Sequence, residues 1–154
     1  MADLAEIIID NTAVIKLLTT LSGRLNDMSP IMRKTAGVMH DAVEENFAQE
    51  GRPEKWAPLA KSTIAARERK GYWPGKIMQR TGAMISALFT KYSSNAAIAG
   101  FPPSIKQATR MHWGYPGGTG RGHAETPARP VLVLPPETIE DIRDMLEKEI
   151  TRVV

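Results

Sequence analysis

The chain contains three histidines, His40, His112 and His123, which are its best candidates for a metal ligand or a catalytic base. Protein zinc sites need three or four ligands, usually His, Cys or carboxylate side chains at close spacing. His40 has one carboxylate, Glu44, four residues later, and such a pair is common on a solvated helix. No third ligand can be identified for His112 and His123, and the chain has no cysteine. The sequence therefore predicts no metal site.

The run from Gly114 to Gly122 is rich in glycine, and closely spaced backbone amides can bind phosphate oxygens. A nucleotide-binding loop of this type continues with Lys and then Ser or Thr at the start of a helix. Here the run ends in Arg121, Gly122 and His123 and leads into proline instead. The chain also lacks a Gly-x-Ser-x-Gly nucleophile sequence and an evident acid and base pair. We therefore expect no nucleotide, no other cofactor and no enzymatic activity.

The segment from residue 61 to residue 80 is basic and includes two aromatic side chains, Tyr72 and Trp73. Its cations are Lys61, Arg67, Arg69, Lys70, Lys76 and Arg80. Such a segment can neutralise phosphates and stack bases, so a nucleic-acid-binding module is the alternative function. However, no recognised nucleic-acid-reading motif is present, and a basic helix is often simply a solvated surface. We include Arg67, Arg69 and Lys70 among the candidate subunit or partner contacts.

Charge is distributed unevenly along the chain, although the formal net charge is only +3. Residues 1–50 have four Lys or Arg against eight acidic residues, residues 51–80 have eight against two, and the residues from Glu137 onwards have three against six. A basic middle between two acidic ends can orient the self-association of identical subunits or attract a polyanion.

The chain has 154 residues, of which 42% are hydrophobic and 24% are charged. This size and composition predict one domain, residues 1–154, that builds its own core without disulfides or metal. The first eleven residues contain three acids around a short apolar run, which does not fit a signal peptide. No apolar run approaches the roughly 18 residues of a membrane span. We expect a soluble protein with no membrane partner.

The first third of the chain has the pattern of one strand and two helices. We expect a strand at Leu4–Ile9, and then a helix that Asn11 or Thr12 caps. The apolar residues of this helix are Val14, Leu17, Leu18, Leu21 and Leu25. Ser29 and Pro30 start a helix of about 20 residues, because a hydroxyl caps free amides and proline fits the first turn. Its apolar stripe, which faces the core or a second subunit, consists of Ile31, Met32, Thr35, Ala36, Met39, Ala42, Val43 and Phe47.

The rest of the chain is predicted to alternate loops with short elements. Trp56 anchors a loop at 50–59, and Gly71 stops a basic helix at 62–70. The following elements are a turn at 72–75, a helical turn from Thr81 to Ala87, a hairpin of residues 88–93 with 96–100, a long mobile Gly/Pro-rich connection at 101–128, a strand at Val131–Leu134 and an amphipathic helix that Glu137 or Thr138 opens. These elements predict an α+β fold with a small mixed or antiparallel sheet packed against a long helix and with helices near both termini.

Several short motifs occur in a fixed order and together cover most of the chain. They are Phe47-Ala-Gln-Glu-Gly51, Pro53-Glu-Lys-Trp56-Ala-Pro58-Leu59, Thr63, Thr81-Gly82-Ala-Met84-Ile-Ser86, His112-Trp113-Gly114 and Pro127-Ala-Arg129-Pro130. In this order they resemble the signature of the phage virion morphogenesis family, the tail completion proteins of Mu-like contractile-tailed phages.

The resemblance implies a structural protein that completes the tail or joins it to the head and that needs no cofactor. Its implied partners are further copies of itself in a homo-oligomeric ring, with six subunits as one candidate size, and tail tube or head–tail connector proteins. It implies assembly in the cytoplasm of a bacterial host, with the virion neck or the tail end as the final location. Carried over to this chain, Trp56 is a buried anchor and Arg129 binds carboxylates or backbone carbonyls. His112 and Trp113 are expected to face a partner.

Overall fold

The computed structural model describes residues 12–118 and 124–152. These residues form α1 (Thr12–Asn26), α2 (Ser29–Ala48), α3 (Lys61–Glu68), α4 (Ala83–Ser86), β1 (Phe89–Tyr92), β2 (Ala97–Gly100), α5 (Lys106–Trp113) and α6 (Pro136–Thr151). The predicted α+β class, with an antiparallel sheet and helices near both ends, is confirmed. The predicted strand at Leu4–Ile9, together with Arg121 and His123, lies outside the described residues.

The long helix α2 is central, because both strands and α6 pack against it. Its buried residues are Ile31, Thr35, Ala36, Ala42, Val43, Asn46 and Phe47, which confirms most of the predicted stripe and adds an amide. The predicted cap is wrong: Ser29 is the first helical residue, and its N–H donates to the carboxylate of Asp27 at 3.0 Å. Hydrogen bonding to Ser29 lowers the pKa of Asp27. Asp27 thus satisfies a free amide, and Pro30 has none to satisfy.

β1 and β2 form the predicted antiparallel hairpin, and in the described residues they make up the whole sheet. The turn closes through a hydrogen bond of 2.8 Å from the N–H of Ser93 to the carbonyl oxygen of Ala96. The N–H of Met28 donates to the carbonyl oxygen of Ser94, at 3.0 Å. This bond ties the hairpin turn to the start of α2.

Val43, Phe47, Trp56 and Val131 form the centre of the hydrophobic core, and each is at most 6% exposed. The rings of Phe47 and Trp56 meet edge to face, with centroids 5.6 Å apart and planes at 85°. Phe101 contacts Phe47 in the same way at 6.3 Å. The core therefore joins α2 to three segments that lie outside regular elements, and edge-to-face pairs add to the hydrophobic gain of burial.

The predicted strand at Val131–Leu134 is wrong, because this segment has no strand partner among the described residues. Its backbone bonds to side chains instead. The carbonyl oxygens of Val131 and Val133 accept from the amide of Asn46, and the N–H groups of Val131 and Leu132 donate to His112. Two side chains thus take the place of a neighbouring strand in satisfying buried backbone groups.

The predicted irregular connection at 101–128 contains a helix, α5, so that expectation is also corrected. Two of the four prolines that favoured a loop precede α5 and two follow it, and Gly114 ends the helix with φ at 77°. Ala108 on α5 is buried. The proline-free stretch between these residues is long enough for two turns of helix.

Helix α1 is present as predicted, but none of its residues is buried. Its large apolar side chains are exposed, among them Val14 at 56% and Leu18 at 58%. α6 is amphipathic, with Thr138 buried and Ile142, Met145 and Leu146 half-buried. The large apolar side chains of α1 are therefore not buried by the part of the chain that the structure describes.

Candidate functional site

The loop after α2 positions Trp56, and a glycine makes that loop possible. Gly51 has φ at 110°, and a Cβ there would lie 2.5 Å from the carbonyl oxygen of Glu54 and 2.8 Å from Cδ1 of Trp56. The indole of Trp56 is 6% exposed, and its Nε1 donates to the carbonyl oxygen of Pro130 at 3.0 Å. The predicted buried anchor is confirmed, and it fixes the loop to the segment that precedes Val131.

Arg129 clamps the same loop from the other side. Its Nε donates to the carbonyl oxygen of Ala57 at 2.8 Å, and its Nη2 donates to that of Pro58 at 2.9 Å. The residue is 4% exposed. Burial, and then the charge of Arg67, lowers the pKa of Arg129, although an arginine stays charged at neutral pH. The predicted carbonyl contacts of Arg129 are present.

Asn46 and Arg52 hold the other face of this segment, and sequence reasoning missed both. The fully buried Asn46 donates through Nδ2 to the carbonyl oxygens of Val131 at 3.1 Å and Val133 at 2.8 Å. Its Oδ1 accepts from Nε of Arg52 at 3.1 Å, and Arg52 also donates to the carbonyl oxygen of Ala42. The available signal was an amide on the apolar face of α2, since a buried polar group normally has partners.

His112 has a structural role. Its Nδ1 accepts from the N–H groups of Val131 and Leu132, each at 3.3 Å, so the ring is neutral in this arrangement. Burial lowers the pKa of His112 and favours that neutral form. Trp113 meets the His112 ring edge to face at 4.6 Å and is 76% exposed. Of these two, Trp113 is the side chain that a partner can reach.

The predicted basic segment contains cations that donate to backbone carbonyls and cations that are exposed to solvent. Arg67 donates to the carbonyl oxygens of Lys76 at 2.9 Å and Ile77 at 2.7 Å, and thereby ties α3 to the next loop. Lys76 donates to the carbonyl oxygen of Ala48. Arg69 and Lys70 are exposed. Arg67 and Lys76 therefore support the fold, whereas Arg69 and Lys70 are available to a partner.

A cleft of about 610 Å³ lies beside α3 and α4, with residues 125–127 and Arg129 on its border. Four cations line it, Arg67, Lys70, Arg80 and Arg129, and we call it the cationic cleft. Glu125 is its one acidic lining residue. With four cations against one carboxylate, the lining of the cleft suits the binding of an anion.

The predicted site residues lie in three places. Trp56, Arg129 and His112 converge on residues 129–132 and position that segment. Arg67 and Lys70 line the same cleft as Arg129, while Arg69 and Trp113 are exposed outside the cleft. Their membership of a subunit or partner interface stays a prediction.

One cluster of metal-type ligands occurs in residues 12–118 and 124–152. His40, Asp41 and Glu44 each place a ligand atom within 4.8 Å of the others. The His40 ring also lies 3.7 Å from the Asp41 carboxylate and 3.8 Å from that of Glu44. Both acids are exposed, and such acidic groups are common on a solvated helix without a bound ion. Across the described part of the chain, no helix is long and apolar enough to cross a membrane.

Comparison with known proteins gives consistent results. The sequence model of the phage virion morphogenesis family matches residues 9–151. Mu-like prophage FluMu G protein 2 of Haemophilus influenzae is 32% identical over 147 residues, which cover 92% of this chain and 96% of that protein. The putative capsid assembly protein G of Escherichia phage Mu is 27% identical over 124 residues, covering 79% and 78%. FluMu G protein 1 of Haemophilus influenzae is 30% identical over 142 residues, covering 90% and 86%. No solved structure matches the chain significantly.

Proposed function

The chain belongs to the phage virion morphogenesis family, and on this basis we propose that it is a structural protein without catalytic activity that completes the phage tail or forms the head–tail joint. It acts through self-association into a ring of identical subunits, with a hexamer as one candidate size. The ring docks onto the tail tube or onto head–tail connector proteins. Assembly takes place in the cytoplasm of the bacterial host, and the ring ends at the virion neck or at the tail end.

The observation that carries self-association is the apolar face of α1, which residues 12–118 and 124–152 leave exposed. No residue of this helix is buried, and Val14, Leu18 and Leu25 are 56%, 58% and 48% exposed. Large exposed apolar surfaces mark protein interfaces in soluble proteins. A second subunit or a tail protein that covers α1 would remove this surface from water, at roughly 25 cal/mol per Å² of apolar area.

Several of the predicted site residues have separate parts in this proposal. Trp56 and Arg129 fix the loop at 50–59. His112 ties the end of α5, beside Trp113, to the backbone of Val131. Trp113 is then presented to a partner on a rigid base, as is typical of an interface anchor. The name of the phage Mu relative, a putative capsid assembly protein, supports a role in building the particle.

Deletion of the gene from its phage is the direct test. We expect full heads and full-length tails that accumulate without joining, and purified protein that restores infectious particles when added to the mixture. Electron microscopy of the purified protein, alone and with isolated tails, should show a closed ring. Normal particles from the deletion phage, or a monomer that ignores isolated tails, contradict the proposal.

Nucleic-acid binding by segment 61–80 is the alternative. Two of its cations, Arg67 and Lys76, keep their charge but donate to backbone carbonyls, so fewer of their N–H groups remain for phosphate oxygens. If this alternative holds, binding of the protein to DNA weakens steeply with salt, and Arg69→Glu and Lys70→Glu reduce it. DNA binding that is weak at about 0.15 M salt and equal in these variants supports assembly instead.

A further inference from the structure

The cationic cleft contains positive charges that lack acidic partners. Within residues 12–118 and 124–152, none of its four cations forms an ion pair. Burial, and then the charge of a neighbouring arginine, lowers the pKa of both Arg67 and Arg129. Both stay charged at neutral pH, so the cleft concentrates like charges. An anion bound there would relieve this repulsion.

The two arginines are held in place before any ligand arrives. Arg67 donates to two carbonyl oxygens of residues 76 and 77, and Arg129 donates to two of residues 57 and 58. Lys70 and Arg80 are exposed at the border. A carboxylate therefore meets fixed guanidinium groups, and this pre-organisation lowers the entropic cost of binding.

The outer face of α6 carries the complementary charge. Its exposed acidic residues at spacings of four and three are Glu140, Asp144 and Glu147. In the described part of the chain none of these forms an ion pair, whereas Glu137 and Glu149 are paired with arginines. Arg143 lies between them in sequence and forms no ion pair there either. Residues at this spacing lie on one side of a helix.

We propose that the cationic cleft of one subunit binds the acidic face of α6 of a second copy of this chain. No residue that lines the cleft belongs to α6, so each subunit presents the two surfaces separately. Such a contact is head-to-tail, and head-to-tail contacts close into a ring when the rotation permits. The inference rests on the proposed self-association and names its two surfaces.

A protein carboxylate fits this cleft better than a nucleic-acid strand. Arg129 is 4% exposed, so its guanidinium is reached by a side chain that enters the cleft. The phosphates of a nucleic-acid strand are best neutralised by cations that are spread along an open groove. The acidic face of α6 is also present in every copy, in equal number to the clefts.

Charge reversal at the border of the cleft tests the inference without removing the bonds of Arg67 and Arg129. We would combine Lys70→Glu with Arg80→Glu in one full-length variant and Glu140→Lys with Glu147→Lys in another. Arg33→Glu is the control, since Arg33 is exposed on α2, does not line the cleft and is not a predicted partner contact. Circular dichroism verifies that each variant is folded, and sedimentation velocity at about 0.1 M salt measures the association.

Each double variant should associate at least about tenfold more weakly than the wild type, because like charges then face each other. An equimolar mixture of the two should recover the oligomer, since the acidic cleft then meets a basic α6. The control should associate as the wild type does. Association that is unchanged in both double variants, or lost equally in the control, overturns the inference.

The outcomes also separate this inference from the proposed function. A wild-type ring that is indifferent to the cleft variants overturns the inference alone. A wild-type chain that stays monomeric in the presence of tails overturns both. Normal self-association combined with lost binding of a labelled single-stranded oligonucleotide in the Lys70→Glu, Arg80→Glu variant overturns the inference in favour of nucleic acid.

Discussion

The indole Nε1 of Trp56 donates a hydrogen bond of 3.0 Å to the carbonyl oxygen of Pro130, 74 residues later in the chain. This bond connects two of the ordered motifs that lie far apart in sequence. The same ring packs edge to face on Phe47, so one side chain joins α2, the loop after it and the segment before Val131. The motifs around Trp56 and Pro130 therefore correspond to contacts that hold the loop at 50–59 against the segment before Val131.

Replacing Trp56 separates the ring contact from the hydrogen bond. We expect Trp56→Phe to lower the free energy of unfolding by about 1–3 kcal/mol, because the carbonyl of Pro130 loses its donor. Trp56→Ala should cost about 3–5 kcal/mol, since it also empties the core. Urea denaturation measures both. Equal losses in the two variants would show that the ring packing carries no separate weight, and an unchanged stability of Trp56→Phe would show the same for the hydrogen bond.

Asn46→Ala should lower the free energy of unfolding by about 2–4 kcal/mol, because it leaves two carbonyl oxygens and the Nε of Arg52 without their partner. Gln49→Ala is the control, since Gln49 is exposed and should change stability by no more than about 0.5 kcal/mol. Thermal denaturation of both variants makes the comparison. A small effect of Asn46→Ala would mean that the network around Val131 is not needed for stability.

Two glycines should respond to alanine in opposite ways. At Gly51, φ is 110° and a Cβ would lie 2.5 Å from a backbone oxygen, so Gly51→Ala should destabilise strongly. Gly37 lies within α2 and a Cβ there meets nothing within 4 Å. Gly37→Ala should raise stability by about 0.5–1 kcal/mol, because alanine is the better helix former. Denaturation midpoints of the two variants decide the matter, and destabilisation by both would contradict the assigned backbone geometry.

His112 should make stability depend on pH. Its pKa is lowered in the folded chain, so below the ordinary value of 6.5 the unfolded chain binds the proton more readily than the folded chain does. The His112 contribution is then fully present above 6.5 and is lost as pH falls through the lowered folded pKa. Protonation also converts Nδ1 from acceptor to donor and removes the bonds from Val131 and Leu132.

Denaturation of the wild type, His112→Ala and His40→Gln across pH 5 to 8 measures this effect. The loss of stability at low pH should be smaller in His112→Ala and should persist in His40→Gln, which leaves the His112 contacts untouched. A profile of His112→Ala parallel to the wild type would remove His112 as the source.

The apolar face of α1 should matter for association and not for folding. Leu18→Asp places a charge on the exposed apolar face, and Ser22→Asp places the same charge at an exposed polar position of α1. We expect Leu18→Asp to weaken self-association or tail binding by about tenfold or more, with stability within about 0.5 kcal/mol of the wild type. Ser22→Asp should leave both unchanged. Light scattering reports the mass of the oligomer, and identical results for the two variants would exclude this face as an interface.

The sequence by itself determined the fold class, the long helix α2 with most of its buried stripe, the hairpin, and Trp56 as an anchor. These features depend on local patterns, since helical spacing, turn residues and proline positions act over a few residues. The ordered motifs also determined the family. The prediction was wrong at α5. The glycines and prolines on both sides of this helix favour a loop, and the prediction extended that loop over all of residues 101–128.

Only the tertiary structure decided how residues 129–133 are held and where the cations gather. Val131–Leu134 has the residue types of a strand, but a strand needs a partner, and here Asn46 and His112 satisfy its backbone instead. Likewise, Arg67 and Arg129 are far apart in sequence and meet in one cleft only when Arg129 clamps the loop after Trp56. Contacts between distant residues depend on how the whole chain packs, and no local pattern encodes them.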